Sequence, residues 1–178
     1  RSFVQARCAS ALPGIEPDPP VANLTDDLKR ALNACIPLAV DGAAEPFLAG
    51  VLIKANVAAS TNRSVMVESW HGIDLPEFLI PRVSAKAIAA STKPLVKFGY
   101  SGRSATFYFA DDSFVKTLLF DNLFPNYGKV LDVESNAMPL PGGFYEALEA
   151  VTPFCEDNRI FFIDGKMCSR YNAVDSST

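Results

Sequence analysis

The stretch LKRALNACIPL, residues 28–38, carries the pattern from which the fold of this chain can be predicted. Its apolar residues recur at spacings of three and four, which predicts an amphipathic helix with one face on a core. Thr25 or Asn23 is expected to cap the start of the helix, and Pro37 is expected to end it. The apolar face comprises Leu28, Ala31, Leu32, Cys35 and Ile36. The opposite face carries Lys29, Arg30 and Asn33.

A second stretch, FYEALEAVTPF at residues 144–154, aligns with the first without a gap. Four of the eleven aligned positions are identical, and Ala31 matches Ala147, an offset of 147 − 31 = 116 residues. Each stretch follows a proline-containing linker and precedes an apolar, strand-like run. A repeat of this length predicts a chain assembled from copies of one domain-sized unit.

Apolar runs and turn residues around these helices predict the remaining elements. We expect strands at 1–10, 47–55, 64–70, 94–101, 104–110 and 113–120, a turn entering a short extended piece at 71–80, a second helix at 83–91, and a hairpin at 158–171 with Asp-Gly at its tip. The prolines of residues 11–20 predict a linker. This order of helices and strands predicts an α+β fold, with helices on one face of antiparallel sheets.

Composition excludes several classes of protein. Of 178 residues, 49% are hydrophobic and 20% are charged, which is typical of a folded globular domain. No uninterrupted apolar run is long enough to span a membrane. The net charge of −4 argues against coating of nucleic acid but allows a local basic face. The chain begins with Arg1 and shows no signal-peptide pattern, so we expect a fragment of a longer protein.

The reactive side chains do not form a pattern typical of a metal site or a catalytic centre. The cysteines are Cys8, Cys35, Cys155 and Cys168. They form no C-x-x-C pair, so we expect small buried side chains in a reducing compartment rather than zinc ligands. The sole histidine, His71, lies beside Trp70 in a predicted turn, and the acidic pairs at 26–27 and 111–112 suit a helix start and a hairpin turn. We expect no catalytic residue, no metal and no cofactor.

Three further stretches occur in a fixed order: FLAGVLIK (47–54), LPEFLIPRVSAKAI (75–88) and LFPNYGKVL (123–131). Together with the repeat, they resemble the bacterial-type DNA sliding clamp, the β subunit of DNA polymerase III. The first is similar to that family's strand after the inner helix, and the second to its extended piece running into Pro-Arg and the second helix. The third is similar to its Phe-Pro-x-Tyr-x-x-Val-Leu stretch, which closes one domain. The resemblance is to a divergent or phage-encoded member.

The resemblance implies the DNA-clamp fold, with antiparallel β-sheets outside and pairs of α-helices on one face. It divides the chain into the last strand and linker of a preceding clamp domain (1–20), a complete middle domain (21–134) and the incomplete start of the following domain (135–178). It implies a processivity factor that encircles double-stranded DNA and tethers the polymerase, and that is not itself an enzyme. Implied partners are DNA of any sequence, peptides of the polymerase and the clamp loader, and, at full length, further copies in a ring. No membrane is implied, and the implied location is the cytoplasm, at the nucleoid.

The resemblance also implies a pocket for partner peptides. The family's Thr-Asp-Gly-His-Arg-Leu segment falls on residues 59–64, where only Arg63 keeps its identity. Loss of the glycine and the leucine changes backbone freedom and apolar lining, so we expect an altered peptide specificity. The implied pocket residues are Leu48, Ala59, Thr61, Asn62, Arg63, Ser64, Pro125 and Val130. For Phe124 and Tyr127 we prefer a structural role, plugging a domain boundary.

Cations on and near the two predicted helices are the candidates for contact with DNA phosphates. They are Lys29, Arg30, Arg82, Lys86 and Lys93. Because solvated helix surfaces carry Lys and Arg routinely, the same residues are also consistent with no DNA role. The helix at 144–154 carries Glu146 and Glu149 and no Lys or Arg, which departs from a cationic lining. The sequence therefore predicts only weak, salt-sensitive contact with DNA.

A different class of protein fits the same repeats: a non-replicative α+β oligomerising or assembly protein, for example a viral one, with no DNA role. The length of the gene product separates the two hypotheses, because a clamp ring needs six domains by the family pattern and this chain holds one complete. Continuation for two or more repeats favours the clamp. A gene product that ends at Thr178 favours the assembly protein.

Overall fold

The computed structural model of the protein describes residues 15–121, 124–128, 138–155 and 159–170. The chain forms two compact units, one ending at Tyr127 and the other starting at Gly128. This boundary falls before the expected one after residue 134, and the assignment of the pieces to successive clamp domains stays a prediction. The expected strand at 1–10 lies outside the described residues.

The first helix, α1 (Asp27–Cys35), presents the apolar face that its sequence predicts. Its buried apolar residues are Leu28, Ala31, Leu32 and Cys35. The N-cap position is Asp26 rather than either expected residue. The Asp26 carboxylate makes no cap, because its Oδ1 accepts a hydrogen bond from the Leu95 N–H (3.0 Å) and so ties the helix start to the sheet. A 3₁₀ turn at Ile36–Leu38, with Pro37 inside it, follows the helix.

Two antiparallel sheets build the first unit. Its strands are, in chain order, β1 (Pro20–Asn23), β2 (Gly50–Thr61), β3 (Met66–Pro81), β4 (Leu95–Tyr100), β5 (Ser104–Phe109) and β6 (Phe114–Leu118). One sheet has the order β1-β4-β5-β6, and β2 pairs with β3 in the other. The chain passes from the first sheet to the second after β6, where the Phe120 N–H donates to the Leu79 carbonyl (2.9 Å).

Two stretches differ from the sequence-based expectation. A strand is predicted from residue 47, but Pro46–Ala49 form a single helical turn, α2. Proline fits the first position of a helix, because the N–H that it lacks has no partner there. A turn is predicted within 71–80, but β3 runs through it. Gly72 has φ 74°, and the pairing with β2 shifts register on either side of Ala55, so the strand bends instead of ending.

One hydrophobic core joins both sheets to α1 and to the second long helix, α3 (Arg82–Ala90), which lies where the sequence predicts it. Between the sheets, the ring of Phe78 stacks on that of Phe98 at a centroid distance of 5.3 Å, and Phe98 contacts Phe107 at 5.5 Å. Two helices packed on antiparallel sheets confirm the predicted α+β class.

A smaller apolar cluster, called here the second cluster, lies apart from that core. Its buried members are Leu52, Ala59, Leu79 and Phe124, and Phe47, Met66, Phe120 and Tyr127 pack around them. Strand β2 serves both clusters because its successive side chains point to opposite faces. Ile53 and Ala58 face the main core, whereas their neighbours Leu52 and Ala59 face the second cluster.

The second unit repeats the start of the first. Its helix, α4 (Phe144–Val151), is followed by a 3₁₀ turn at Thr152–Phe154. At the offset of 116 residues between the aligned stretches, these ends coincide with the end of α1 at Cys35 and with the turn at Ile36–Leu38. The local structure therefore follows the predicted internal repeat.

The predicted hairpin follows α4 in the second unit. It consists of β7 (Phe161–Ile163) and β8 (Lys166–Cys168). Asp164 and Gly165 both have positive φ, as the tight turn of an Asp-Gly hairpin requires. In contrast to α1, α4 has no buried residue. Large apolar side chains exposed in this unit are Met138, Leu140, Tyr145, Phe154 and Phe162.

A buried carboxylate fixes the segment before β1 onto the four-stranded sheet. Asp18 accepts hydrogen bonds from the hydroxyls of Ser104 and Thr106, each at 2.9 Å, and from the Lys116 ammonium at 3.1 Å. A Cβ at Gly99 would overlap the Asp18 carbonyl oxygen, so the glycine allows this close approach. Burial raises the pKa of Asp18, but the hydrogen bonds and the charge of Lys116 outweigh it, and the net effect is a lowered pKa.

We predict that Asp18→Asn lowers the free energy of unfolding at pH 7 by about 1–3 kcal/mol, the usual cost of losing hydrogen bonds to a charged group. Because the folded-state pKa is depressed, this stabilisation is present above the unfolded-state pKa of about 4 and is lost as the pH falls below it. Urea unfolding of both proteins between pH 7 and pH 3.5 should show the difference shrinking. A difference that does not depend on pH would contradict the ionic role, and Asp74→Asn, at an exposed position of β3, is the control.

Candidate functional site

Three segments that carry the predicted pocket residues converge on the second cluster. Phe47, from the turn α2 that holds Leu48, meets Phe124 edge-to-face at a centroid distance of 6.3 Å. Phe124 in turn packs with Ala59 of β2 and directly precedes Pro125. The structure therefore brings Leu48, the 59–64 segment and Pro125 to one region of the first unit. Val130 lies outside the described residues.

The tip of the β2–β3 hairpin is held in one conformation by its own side chains. The Asn62 Oδ1 accepts hydrogen bonds from the N–H groups of Ser64 (3.0 Å) and Val65 (2.8 Å). The Thr61 hydroxyl donates to the Val65 carbonyl (2.8 Å) and accepts from the Arg63 N–H (3.1 Å). Arg63 has φ 77°, which is uncommon for a residue with a side chain. These bonds fix the direction in which Arg63 leaves the backbone.

Arg63 forms an ion pair that links the hairpin tip to the loop before α2. Its Nη2 donates to the Oε1 of Glu45. Glu45 is itself fixed, because its carbonyl accepts a hydrogen bond from the Leu48 N–H (3.0 Å) at the start of α2. The two side chains are 62% and 45% exposed, for Arg63 and Glu45 respectively. The predicted pocket region thus presents one ion pair to solvent.

Two predicted pocket residues cannot offer much surface to a partner. Ala59 is fully buried at 0% exposure, because its side of β2 faces Leu52 and Phe124 in the second cluster. Leu48 is 7% exposed. Ala59 packs beneath the exposed residues of the region, and its place in a peptide pocket stays a prediction. The exposed members are Asn62, Arg63, Ser64 and Pro125, and Thr61 is half-buried.

Phe124 and Tyr127 have the structural role that the sequence favours. Phe124 is buried in the second cluster, and Tyr127 meets it edge-to-face at 5.8 Å. The Tyr127 hydroxyl donates to the Glu68 carboxylate (2.6 Å). Burial, followed by the hydrogen bond and charge of Glu68, raises the pKa of Tyr127. Both rings hold the segment around Pro125 against the hairpin.

A cavity of about 800 Å³ lies on the other flank of the second cluster. Its lining includes Leu52, Leu79, Phe120 and Phe124, with Arg103 and Asp121 among its charged groups. None of the predicted pocket residues lines it. Sequence reasoning misses this cavity because its walls come from β3, the β4–β5 turn and the segment after β6, and no local pattern connects these pieces.

Every candidate DNA-contacting cation has a carboxylate within 4 Å. The pairs are Lys29–Asp26 (2.9 Å), Arg30–Asp27 (3.0 Å), Arg82–Asp41, Lys86–Asp41 (3.9 Å) and Lys93–Asp111 (3.5 Å). Pairing of this kind cancels most of the positive field that would attract phosphates.

Two of these cations do not lie on an open surface. Lys29 is 8% exposed, and its ammonium donates to the carbonyls of Ser91 (3.1 Å) and Lys93, so placing it on the solvent-facing side of α1 is wrong. Arg82 is held by the Ile36 carbonyl (3.0 Å) in addition to Asp41. The other three candidates, Arg30, Lys86 and Lys93, keep about half or more of their side chains exposed.

The reactive residues have structural partners or are buried. Asp111 accepts hydrogen bonds from the N–H (3.3 Å) and hydroxyl (2.6 Å) of Ser113 in the turn before β6, as predicted for a turn residue. Burial raises the pKa of the Cys35 thiol to about 12, whereas Cys155 and Cys168 are only half-buried. In the described parts of the chain, no three His, Cys, Asp or Glu residues are arranged to hold a metal ion. No helix among the described residues is long and apolar enough to cross a membrane.

His71 is inside the protein rather than in a turn. It is 1% exposed in β3, its Nδ1 accepts a hydrogen bond from the Ile73 N–H (3.3 Å), and its Nε2 has no hydrogen-bond partner among the described residues. Burial lowers the pKa of His71, and the nearby Val57 backbone opposes this only in part. The imidazole is therefore a core group whose charged form is disfavoured by burial.

Comparison with known proteins identifies the fold. No protein-family model and no curated protein sequence matches the chain. Solved structures do match, and all three described here are bacterial clamps. "Caulobacter crescentus pol III beta" has a TM-score of 0.62 and 13% identity, over 86% of this chain and 47% of that one. The DNA polymerase III subunit beta from Pseudomonas aeruginosa has a TM-score of 0.58 and 15% identity, over 85% and 46%.

A third match carries a bound peptide. The Helicobacter pylori beta clamp bound to DNA ligase peptide has a TM-score of 0.56 and 17% identity, over 72% of this chain and 40% of that one. This chain therefore has the sliding-clamp fold, as the sequence resemblance predicts, and it spans less than half the length of each of these clamps.

We predict that His71 titrates below the ordinary histidine pKa of about 6.5, because burial disfavours its charged form. As the sole histidine, it gives one imidazole signal in a proton NMR titration. The unfolded chain binds the proton more readily, so stability should fall as the pH drops below about 6.5. A measured pKa at or above 6.5 would show that the ring is not desolvated. His71→Gln should remove this part of the pH dependence.

Proposed function

We propose that this chain is part of a sliding clamp, a non-enzymatic processivity factor that holds a DNA polymerase on duplex DNA. The observation that carries the proposal is the sliding-clamp fold. Three bacterial clamps match between 72% and 86% of this chain. The repeat of the helix and its 3₁₀ turn in the second unit adds support, because a clamp is a ring of similar domains. Such a protein works in the cytoplasm, at the nucleoid.

The mechanism is topological. A ring around the duplex keeps its bound polymerase at a high effective concentration near the primer end without gripping any sequence. A closed ring needs more units than the two in this chain, and further polypeptide or further copies would supply them. The polymerase would be tethered by a short peptide, as would the clamp loader.

The candidate peptide site is the region around the hairpin tip. Asn62, Arg63, Ser64 and Pro125 are exposed there, on backbone held by the second cluster. Rigid backbone with a few accessible polar groups suits recognition of a short extended peptide, because little ordering is needed on binding. The Helicobacter pylori clamp with a ligase peptide is a precedent for this kind of partner on this fold.

Contact with DNA would be weak. Each candidate cation is already paired with a carboxylate, and Lys29 is buried. Arg30, Lys86 and Lys93 are the accessible ones. Weak attraction is compatible with a ring, since the topology rather than affinity keeps it on the duplex. It also leaves the ring free to slide.

We predict that a labelled polymerase-tail peptide of the Gln-x-x-Leu-Phe type binds saturably, and that Arg63→Ala weakens binding about twofold to fivefold, as expected for loss of an exposed ionic contact. Fluorescence anisotropy measures both affinities. Arg30→Ala is the matched control, since Arg30 is 66% exposed and also ion-paired but lies on α1. Equal weakening by both substitutions, or no binding by the unmodified chain, would count against the proposed site.

We predict that Asp41→Asn strengthens binding to a labelled 30-base-pair duplex, because Asp41 neutralises both Arg82 and Lys86. The unmodified chain should bind the duplex with a Kd no tighter than about 10⁻⁴ to 10⁻⁶ M. For Asp41→Asn, the logarithm of the binding constant should fall more steeply with the logarithm of the salt concentration, by about one for each added phosphate contact. Asp74→Asn changes the net charge equally and has no part in these pairs. If both variants gain equally in titrations at 50 and 200 mM salt, net charge rather than pairing is responsible.

A further inference from the structure

The Glu45–Arg63 pair stands where the partner peptide is proposed to bind, and both of its ends are fixed by the fold. The Glu45 carbonyl accepts from the Leu48 N–H, which sets the position of Glu45 at the start of α2. Arg63 projects from a hairpin tip that Thr61 and Asn62 hold in place. The pair therefore joins side chains that leave two backbone positions fixed by hydrogen bonds.

Arg63 is the more accessible member and keeps donors to spare. One nitrogen, Nη2, bonds Glu45, while the side chain is 62% exposed against 45% for Glu45. A guanidinium has five N–H donors in a planar fork that matches a carboxylate through two parallel bonds. A partner's carboxylate that uses Nη2 for one of its two bonds must therefore displace Glu45 from that nitrogen.

Arg63 supplies the positive charge in the described segments of this site. The segments that form it, 39–49, 59–68 and 124–128, contain no Lys or Arg apart from Arg63. Their acidic residues are Asp41, Glu45 and Glu68. Asp41 is paired with Arg82 and Lys86, and Glu68 accepts a hydrogen bond from Tyr127. A partner's carboxylate that binds Arg63 through Nη2 therefore competes with Glu45, which holds that nitrogen in the free protein.

We propose that Glu45 is an intramolecular competitor for Arg63, and that the site takes a peptide bearing a carboxylate, which displaces Glu45 from the guanidinium. This inference rests on the proposed peptide-binding function and names the chemistry that the site selects. A peptide without a carboxylate leaves the Glu45–Arg63 pair in place and gains nothing from Arg63. Arg63 therefore favours acidic peptides over neutral ones, and competition from Glu45 reduces that preference.

The size of the effect is bounded by the exposure of the pair. Exposed ion pairs shift an equilibrium by about 1.4- to 5-fold. Breaking the Glu45 contact accordingly costs little free energy. Glu45 therefore changes the affinity for acidic peptides without blocking the site. Substitution of Glu45 should increase, by the same factor, the affinity of the site for any peptide that binds Arg63.

The test uses the full chain and two labelled peptides of the Gln-x-x-Leu-Phe type with amidated C-termini, identical except that one carries Glu and the other Gln beside the apolar residues. We expect Glu45→Gln to tighten binding of the acidic peptide two- to fivefold and to leave the amide peptide unchanged. Glu77→Gln is the matched control, because Glu77 is 46% exposed and pairs with Lys54 at 3.0 Å. In an Arg63→Gln background, Glu45→Gln should have no effect on either peptide.

The outcomes separate cleanly. Tightening of both peptides, or tightening that persists without Arg63, would show general charge repulsion by Glu45 and would overturn the competition. Weaker binding of the acidic peptide by Glu45→Gln would also overturn it. Saturable binding of both peptides with no effect of Glu45 overturns this inference and leaves the proposed function standing. If neither peptide binds any variant, the proposed function fails and takes the inference with it.

Discussion

Burial of the apolar stripe of α1 is the contact on which the rest of the first unit depends. A nine-residue helix is too short to be stable alone, because isolated helices below about 12 residues are marginal in water. The helix exists because Leu28 and Leu32 are buried against both sheets, at about 1.5–3 kcal/mol for each large side chain. The sheets need α1 in turn, since a two-stranded sheet such as β2–β3 requires packing on a helix. Asp26 and Lys29 add polar ties from the helix to the chain around Leu95.

The elements that could be predicted from sequence are those with local causes. The stripe of α1, the helix at α3 and the Asp-Gly hairpin follow from periodicity and turn chemistry within a dozen residues. The misses have distant causes. Lys29 is buried because its ammonium donates a hydrogen bond to the carbonyl of Ser91, which lies 62 residues away in the sequence. β3 continues through an expected turn because its pairing with β2 outweighs the turn signal at Gly72.

The candidate site shows the same division. Arg63 could be predicted because the sliding-clamp motif that residues 59–64 resemble has an arginine at the same position. Its partner Glu45 could not, since the two residues are 18 positions apart, with the turn α2 and the strand β2 between them, and no local signal connects them. Ala59 occupies a position of the motif, but its side chain points inward, because it lies on the face of β2 that packs on the second cluster. The charge balance is likewise a property of the folded chain: Asp41 serves two cations from a loop that no helical pattern includes.

The bare helix of the second unit has a practical side. Helix α4 has no buried residue, and Met138, Phe154 and Phe162 are exposed to solvent. This part of the chain therefore presents apolar surface that favours association. A net charge of −4 on 178 residues gives only modest colloidal repulsion. Handling of the isolated polypeptide is therefore governed by concentration: dilute solutions favour single molecules, and crowded ones favour aggregates held by aromatic and thioether side chains.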